Sequence, residues 1–281
     1  MPLRPQILAF GLLAFANSAF AAPVKAPPGM KLVWNDEFNT GSVPDPKKWS
    51  FERGFSRNEE AQWYQPDNAT IKSGILTIEA RRERRPNPNY RAGSSDWRTN
   101  REFIEYTSSS LVTGPKGGAW KYGRFEMRAR IDTRPGIWPA FWTVGQSGEW
   151  PDGGEIDIME FYRGKVLANF AWGTSRRWNA KWNAVARPIE VFGDPNWSKK
   201  FHVWRLDWDE NKLVISMDGL VLNTQDVRQA QNAGAGIDLP FTRPQTIILN
   251  LAIGGQNGGD PSKTTFPSKF EVDYVRVFQK K

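Results

Sequence analysis

Residues 122–131 read YGRFEMRARI, and apolar and polar side chains alternate along most of this run. Successive side chains of a β-strand point to opposite faces, so the alternation predicts a strand that buries one face. Asp218 and Gly219 are typical of a two-residue hairpin turn between two further strands. Other stretches with strand-like patterns are residues 74–80, 212–217, 246–253 and 270–278.

Helical signals are scarce, because only residues 227–233 could form a short helix. Repeated strands with glycine and proline turns are typical of sandwiches or barrels, and the length of several runs favours an all-β sandwich of two sheets. Residues 81–106 are rich in Arg, Asn, Pro and Ser and predict a long surface loop. No repeat or Ser/Pro linker divides the chain, so we expect residues 22–281 to form a single domain.

Residues 1–21 have the pattern of a signal peptide. Arg4 is the basic part, residues 7–16 are mostly apolar but too short to span a bilayer, and Ala19-Phe20-Ala21 matches a cleavage site. An N-terminal core helix is the alternative. The pattern predicts a secreted or periplasmic protein that is cleaved near Ala21. Because the chain has no cysteine, disulfides and thiol chemistry are excluded.

The chain carries 38 Lys and Arg against 30 Asp and Glu, a net charge of +8, but the basic residues are interspersed. We therefore expect no nucleic-acid partner, and the charge serves either solubility or attraction of an anionic glycan. No stretch beyond residue 21 predicts a membrane span. The 14 Trp offer flat apolar faces that suit sugar rings, so we expect a polysaccharide partner. The protein itself is expected to be a monomer.

Residues 153–160 read GGEIDIME and place three carboxylates in a strand-like run. In a regular strand Glu155 and Asp157 share one face, whereas Glu160, five positions after Glu155, points to the other. A one-residue bulge at Ile158-Met159 would return Glu160 to the face of the other two acids. Bulges are frequent beside active sites.

Three carboxylates on one face repel one another, which raises the pKa of at least one of them. The result is a proton donor beside an ionised nucleophile, and retaining glycosidases need such a pair. The residues alone leave two other interpretations open, an acidic edge strand and a cation site.

The segments around these acids resemble glycoside hydrolase family 16, the laminarinase, agarase and lichenase group. Glu155, Asp157 and Glu160 match its bulged E-x-D-x-x-E signature, and GIWPAFW at residues 136–142 is similar to its G-x-W-P-A-F-W segment. The likeness covers nearly the whole mature chain. Further segments that resemble strands of the family, in family order, are residues 34–38, 201–204 and 272–277.

The resemblance implies a jelly-roll sandwich of two curved antiparallel sheets, with the substrate in the concave groove. It also implies hydrolysis with retention by double displacement. In that scheme Glu155 is the nucleophile, Glu160 is the general acid/base, and Asp157 lies between them and tunes their protonation. No cofactor is expected for catalysis.

Five side chains are candidates for substrate binding. Trp138 and Trp142 lie four positions apart and so point to one face of a strand. The resemblance favours Trp138 as a platform in the groove, whereas Trp142 could equally be a core residue. Trp150 precedes the acidic motif and is another candidate platform. Asn58 lies in a segment that resembles a groove-lining part of the family. Arg124 points either inward, to hold a sugar hydroxyl or a catalytic carboxylate, or outward as an ordinary strand charge.

Glu37 and Asp273 match family positions that can supply ligands to a structural calcium ion, although they could equally be ordinary surface acids. His202 is the only histidine and is predicted to be structural. Ala171 stands where many laminarinases of the family carry a histidine, a difference that bears on the substrate. Residues 256–257 are predicted to form a turn.

These features favour a secreted endo-acting hydrolase, because a pure binding module has no use for three mutually repelling acids. A lectin-like module without catalysis is the alternative from another class, and a transglycosylase would use the same pair of glutamates. The first expectation for the substrate is a laminarin-like β-1,3-glucan. A galactan of the agar or carrageenan type is the alternative, favoured by the basic charge and by Arg163, Arg176 and Arg177.

Overall fold

A computed structural model of the chain describes residues 24–234 and 236–281. The predicted signal peptide, residues 1–21, lies outside the described residues. Each of the five stretches that were predicted as strands lies in a strand. The predicted hairpin turn is also confirmed, because Asp218 and Gly219 have φ values of 49° and 85°, the left-handed region that such a turn requires.

The secondary structure is dominated by seventeen strands. In chain order they are β1 (Met30–Asp36), β2 (Ser50–Phe51), β3 (Gln62–Tyr64), β4 (Ala69–Lys72), β5 (Ile75–Pro86), β6 (Phe103–Ser108), β7 (Ser110–Val112), β8 (Gly123–Ile131), β9 (Ile137–Gly145), β10 (Glu155–Tyr162), β11 (Lys165–Gly173), β12 (Ala180–Pro188), β13 (His202–Trp208), β14 (Lys212–Met217), β15 (Leu220–Asp226), β16 (Gln245–Ile253) and β17 (Ser268–Lys280).

The helices are all short. They are α1 (Gly114–Gly117), α2 (Gly255–Gly258) and the 3₁₀ turns Pro66–Asn68, Ile189–Phe192, Trp197–Lys199, Val227–Gln229 and Pro240–Thr242. The predicted helix at residues 227–233 is therefore reduced to a single turn. In the part of the chain that the structure describes, no helix has the length and apolar character needed to cross a bilayer.

The strands form two sheets. The groove sheet has seven strands in the order β12-β11-β10-β9-β16-β7-β2. The back sheet has ten strands, with the path β15-β14-β13-β8-β17-β5-β6-β3 and with β1 beside β17 and β4 beside β5. Neighbouring strands run antiparallel apart from β3 and β6, which are parallel. The predicted all-β sandwich is thus confirmed.

The hydrophobic core lies between the two sheets. Phe141, Ile156 and Leu249 of the groove sheet and Phe125 and Val275 of the back sheet are fully buried in it. Burial of a side chain of this size stabilises the fold by about 1.5–3 kcal/mol. Because side chains alternate along a strand, this burial directs the remaining residues of the groove sheet to its opposite face.

The predicted surface loop at residues 81–106 is wrong at both ends. Strand β5 continues to its twelfth residue, and β6 begins at residue 103 and pairs with it. The many arginines in this stretch were typical of a surface loop, and the strand was therefore not predicted. In the structure their side chains pack on aromatic rings. Arg82 lies 5.4 Å from the ring centroid of Tyr106, and Arg84 lies 4.1 Å from that of Phe103.

Candidate active site

The face of the groove sheet that points away from the core lines an open groove of about 740 Å³. Glu155, Asp157 and Glu160 all lie in it, as the sequence motif predicts. The residues that line the groove are Glu52, Arg57, Asn58, Glu60, Trp138, Ala140, Trp142, Val144, Trp150, Glu155, Asp157, Glu160, Tyr162, Leu167, Asn169, Trp182, Ala184, Ala186, Ile248, Asn250 and Asn257.

The predicted bulge is present in β10. Asp157 pairs with Asn169 on β11 and Glu160 pairs with Leu167, so two residues of β10 stand opposite a single residue of β11. The two residues of the bulge, residues 158 and 159, are both fully buried in the core. Two consecutive side chains of β10 therefore point into the core, and this extra residue returns Glu160 to the groove face.

The turn before β10 depends on close backbone approach. Gly154 has a φ of 80°, which glycine adopts without strain, and Gly145 lies so close to Gly153 that a Cβ there would be 2.2 Å from the Gly153 carbonyl oxygen. This turn brings Trp150 to the nucleophile candidate, because the indole Nε1 donates a 2.7 Å hydrogen bond to Oε2 of Glu155.

The other glutamate is held in the same way. Trp138 Nε1 donates a 2.7 Å hydrogen bond to Oε1 of Glu160. Between the glutamates, Asn169 Nδ2 donates to Oδ2 of Asp157 at 3.1 Å and to Oε2 of Glu160 at 3.3 Å. The three acids are therefore tied to fixed donors, which favours one arrangement of the carboxylates.

Burial raises the pKa of Glu155 and of Glu160 to about 7. The pKa of Asp157 is raised well above its ordinary value by burial and by the charges of the two glutamates. The charged groups next to the two glutamates have opposite signs. The charge of Arg57 acts against burial and lowers the pKa of Glu155, whereas the charges of Glu155 and Glu60 add to burial and raise the pKa of Glu160. Burial thus brings both pKa values to about 7, while the charge of Arg57 favours the ionised form of Glu155 and the neighbouring carboxylates favour the protonated form of Glu160.

Arg57 is a groove residue that the sequence analysis missed, although it precedes the predicted Asn58. Its guanidinium forms an ion pair with Glu52 and lies 5.0 Å from the ring centroid of Trp142. The Nη1 atom of Arg57 is buried and has no hydrogen-bond partner. A buried donor without a partner is costly, so it is available to a hydroxyl of a ligand in the groove.

A second missed feature is a hydrogen-bonded chain under the groove floor. Trp142 Nε1 donates to Oδ1 of Asn250 at 2.7 Å, and Asn250 Nδ2 donates to the hydroxyl oxygen of Tyr64 at 3.0 Å. The Tyr64 hydroxyl in turn donates to Glu60 at 3.2 Å. Asn250 and Tyr64 are 186 positions apart in the sequence, so no local pattern could join them.

Four of the five predicted binding residues line the groove, namely Trp138, Trp142, Trp150 and Asn58. Their exposure differs from the prediction. Trp138 is only 5% exposed and Trp142 only 9%, so neither ring offers an open face to the groove, whereas Trp150 is 37% exposed. The expectation of Trp138 as an open platform is therefore corrected, and its contact with Glu160 becomes the feature of interest.

The prediction that Arg124 holds a sugar or a catalytic carboxylate is wrong. Arg124 lies on β8 of the back sheet, and its Nε donates a 2.7 Å hydrogen bond to Asp207 on β13. Phe125 beside it points into the core, so alternation turns Arg124 to the outer surface, away from the groove.

Glu37 and Asp273 do not fit the predicted calcium site. Both oxygens of Glu37 accept hydrogen bonds from Arg276, at 2.8 and 2.7 Å, and Asp273 accepts one from Arg128 at 2.6 Å. A guanidinium at that distance repels a divalent cation. Nowhere in residues 24–234 and 236–281 do three or more His, Cys, Asp or Glu side chains form a group that could hold a metal ion.

Two further expectations concern His202 and residues 256–257. His202 is structural, as predicted, because its Nδ1 lies 2.6 Å from Oδ2 of Asp218 and its Nε2 lies 3.0 Å from the carbonyl oxygen of Trp197. Residues 256–257 belong to α2, and Asn257 also lines the groove.

The sequence model of glycosyl hydrolases family 16 matches residues 57–276. The chain belongs to this family. The glucan endo-1,3-beta-glucosidase of Cryptopygus antarcticus is 33% identical to it, and the match covers 97% of this chain and 96% of that relative. Glycoside hydrolase activity and the jelly-roll form of the sandwich are thereby established for this member of family 16.

Two solved structures extend the comparison. The laminarinase catalytic domain of Thermotoga maritima is 31% identical, with a TM-score of 0.73, and the match covers 90% of this chain and 99% of the laminarinase. A structure from work on endo-acting O-glycanases of the human gut microbiota, which initiate mucin breakdown, is 34% identical. Its TM-score is 0.82, and the match covers 92% of this chain and 94% of that one. The family 16 chain is an endo-β-glycosidase by these relationships.

Proposed function

We propose that this family 16 enzyme is a secreted, monomeric, retaining endo-hydrolase of β-1,3-glucan, with Glu155 as the nucleophile and Glu160 as the general acid/base. One observation carries the assignment: the bulge in β10 presents both glutamates to one groove, and their charged neighbours act in opposite directions. Arg57 favours the ionised form of Glu155, and Glu60 favours the protonated form of Glu160.

The first chemical step forms a bond from Glu155 to the anomeric carbon and breaks the bond from that carbon to the glycosidic oxygen. Glu160 gives its proton to the departing oxygen, so the product leaves as an alcohol and Glu160 becomes a carboxylate. The indole N–H of Trp150 keeps Glu155 oriented for attack. Asp157 stands between the two glutamates and shares protons with them as their charges change.

The second step reverses these roles. The carboxylate of Glu160 takes a proton from water, the water oxygen bonds to the anomeric carbon, and the ester to Glu155 breaks. The N–H of Trp138 stabilises the charge that Glu160 carries between the two steps. Two inversions at the same carbon give net retention.

The choice of a β-1,3-glucan rests on the groove and on the relatives. The Cryptopygus relative is named for endo-1,3-β-glucan cleavage, and the Thermotoga structure is a laminarinase. Among the residues that line the groove outside the catalytic acids, Arg57 is the cation and is paired with Glu52, and Glu60 adds a further carboxylate. A neutral polymer fits such a groove. The similarity to the structure from the O-glycanase work favours a mucin O-glycan as the second candidate.

The test is digestion of a panel of purified polysaccharides with product sizing. The panel contains a linear β-1,3-glucan, a mixed-linkage β-1,3-1,4-glucan, agarose and a mucin O-glycan preparation. We expect rapid loss of viscosity and intermediate oligosaccharides from the β-1,3-glucan. Release of single sugars alone, or cleavage only of the galactose-containing substrates, would contradict the proposal. Secretion is tested by N-terminal sequencing of the exported protein, which should begin near Ala22, and size-exclusion chromatography tests the monomer.

A further inference from the structure

The groove side chains lie in rows that cross the strands of the groove sheet. One of these rows runs through the nucleophile candidate: Val144 on β9 pairs with Glu155 on β10, Glu155 pairs with Ala171 on β11, and Ala171 pairs with Trp182 on β12. Directly paired residues share a face of the sheet, so these side chains stand side by side across the groove. Trp182 ends the row on the edge strand.

Trp182 is the most exposed of the four tryptophans that line the groove. It is 45% exposed and Trp150 is 37% exposed, whereas Trp138 and Trp142 are almost fully covered. It also makes no aromatic stacking contact of the kind that holds the rings of buried tryptophans elsewhere in the described chain, such as Trp197 against His202. A large apolar ring that is left uncovered at the edge of a groove is typical of a ligand contact.

The surroundings of Trp182 form an apolar shelf. The groove residues of β12 beside it are Ala184 and Ala186, and β11 contributes Leu167 and Asn169. No charged side chain of these two strands lines the groove. The opposite side of the groove, by contrast, carries charged residues, among them Arg57. A ligand on the shelf is therefore held by contact with an apolar face rather than by ion pairs.

Ala171 makes this shelf accessible. It stands between Glu155 and Trp182 in the row and is fully buried, although it faces the groove side. A longer side chain at this position would rise between the nucleophile and the indole. Adjacent strands lie about 4.8 Å apart, so Trp182 is about 10 Å from Glu155 across the sheet. That distance lies beyond the sugar that Glu155 attacks and within reach of the next one.

We propose that Trp182 is the stacking platform for the sugar next to the one that Glu155 attacks, and that Ala171 is the small residue that exposes it. The platform accepts an uncharged hexose that presents a flat C–H face. It excludes sugars with sulfate or carboxylate groups at this subsite, because the shelf has no cation to pair with them. The inference rests on the proposed hydrolase function and narrows its substrate class to unsubstituted glycan.

The experiment compares Trp182→Ala, Trp182→Phe and Ala171→His with Trp178→Ala. Trp178 is a suitable control because it is 56% exposed and does not line the groove. The readout is kcat/KM on β-1,3-glucan oligosaccharides, from a trisaccharide to a hexasaccharide. Binding of the hexasaccharide to each variant is measured by calorimetry in the Glu155→Gln background, which separates binding from turnover.

We expect Trp182→Ala to lower affinity and kcat/KM for the hexasaccharide about tenfold, a loss that corresponds to about 1.4 kcal/mol and lies within the range of an aromatic contact. Trp182→Phe should retain most of the affinity, Ala171→His should lose as much as Trp182→Ala, and Trp178→Ala should match the parent. Parent-like affinity and kcat/KM in Trp182→Ala, at unchanged melting temperature, overturns the inference. So does an equal loss in Trp178→Ala.

The two proposals fail separately. A wild-type enzyme that cleaves no polysaccharide contradicts the proposed function, while tight hexasaccharide binding that depends on Trp182 would still support the platform. If the wild type is active and Trp182→Ala has no effect on affinity or kcat/KM, only the proposal that Trp182 is a platform is contradicted. If Glu155→Gln does not bind the hexasaccharide at all, the platform for β-1,3-glucan is overturned as well. Tighter binding of a sulfated galactan oligosaccharide than of the neutral hexasaccharide overturns the exclusion of charged sugars.

Discussion

The indole Nε1 of Trp138 lies 2.7 Å from Oε1 of Glu160 and donates a hydrogen bond to it. This contact lowers the pKa of Glu160 against the larger opposing effect of burial. A single N–H group therefore sets how readily the proposed acid/base gives up its proton, and it does so from a tryptophan that is almost completely covered.

Replacement of Trp138 by Phe removes this donor and keeps an aromatic ring. We expect kcat to fall about tenfold or more, because a hydrogen bond to a charged group is worth about 1.5–3 kcal/mol. The pKa of Glu160 should rise without the donor. Since Glu160 must be protonated for the first step, the alkaline limb of the kcat/KM profile should move to higher pH.

The control for this change is Trp142→Phe, which removes a hydrogen bond to Asn250 rather than to a carboxylate. Steady-state kinetics across pH should show an unmoved alkaline limb for the control. If the two variants shift the alkaline limb equally, the N–H of Trp138 does not tune Glu160.

Arg57 provides a test at the other glutamate. Its charge lowers the pKa of Glu155, so Arg57→Gln should raise that pKa. Because Glu155 must be ionised to attack, the acid limb of kcat/KM should move to higher pH while the alkaline limb stays nearly constant. Arg177→Gln is the matched control, since Arg177 forms an exposed ion pair with Glu149. An unmoved acid limb in Arg57→Gln would remove the electrostatic reason for assigning the nucleophile to Glu155.

The buried catalytic acids should also lower the free energy of unfolding at neutral and alkaline pH. Glu155 and Glu160 have pKa values of about 7 in the folded protein, above those of the unfolded chain, so the folded state binds more protons between these values. Stability is therefore greatest below the unfolded pKa and falls as pH rises through about 7. We expect Glu155→Gln and Glu160→Gln each to stabilise the protein at pH 8 by about 1 kcal/mol, a figure reduced for partial exposure to solvent.

Thermal or urea denaturation at several pH values measures this effect. The advantage of the variants should shrink toward acid pH, where the wild-type carboxyls are protonated. Glu102→Gln serves as the control, because Glu102 is exposed and does not line the groove. Wild type that is more stable than both groove variants at pH 8 would show that the burial of these acids is compensated.

The acidic motif illustrates how much of the site could be predicted from sequence. The five-residue separation of Glu155 and Glu160 conflicts with strict alternation, and a bulge at residues 158–159 resolves the conflict, as the structure confirms. The local pattern could not place Arg57 or Asn250 in the groove, because their positions depend on contacts between distant segments. The pattern also wrongly suggested that Arg124 could bind substrate. Alternation alone does not say which face of the strand is buried, and only the position of Phe125 in the core shows that Arg124 points outward.

The tryptophans also show what the local sequence can predict and what depends on tertiary packing. The spacing of Trp138 and Trp142 correctly placed both on one face of β9. It could not reveal that both rings are covered, or that Trp182 on β12 has the most exposed indole in the groove. Exposure depends on what packs against a residue, and in β12 the neighbours are small alanines.

The most direct test of the account is to trap the glycosyl-enzyme. Glu160→Gln is mixed with an aryl β-glycoside whose leaving group needs no protonation, and intact-protein mass spectrometry followed by peptide mapping locates the adduct. We predict a covalent sugar on Glu155, release of a β-configured glycosyl azide when azide is added, and no adduct in Glu155→Gln. An adduct on another residue, or turnover by Glu155→Gln at close to the wild-type rate, would contradict the assignment of the two glutamates.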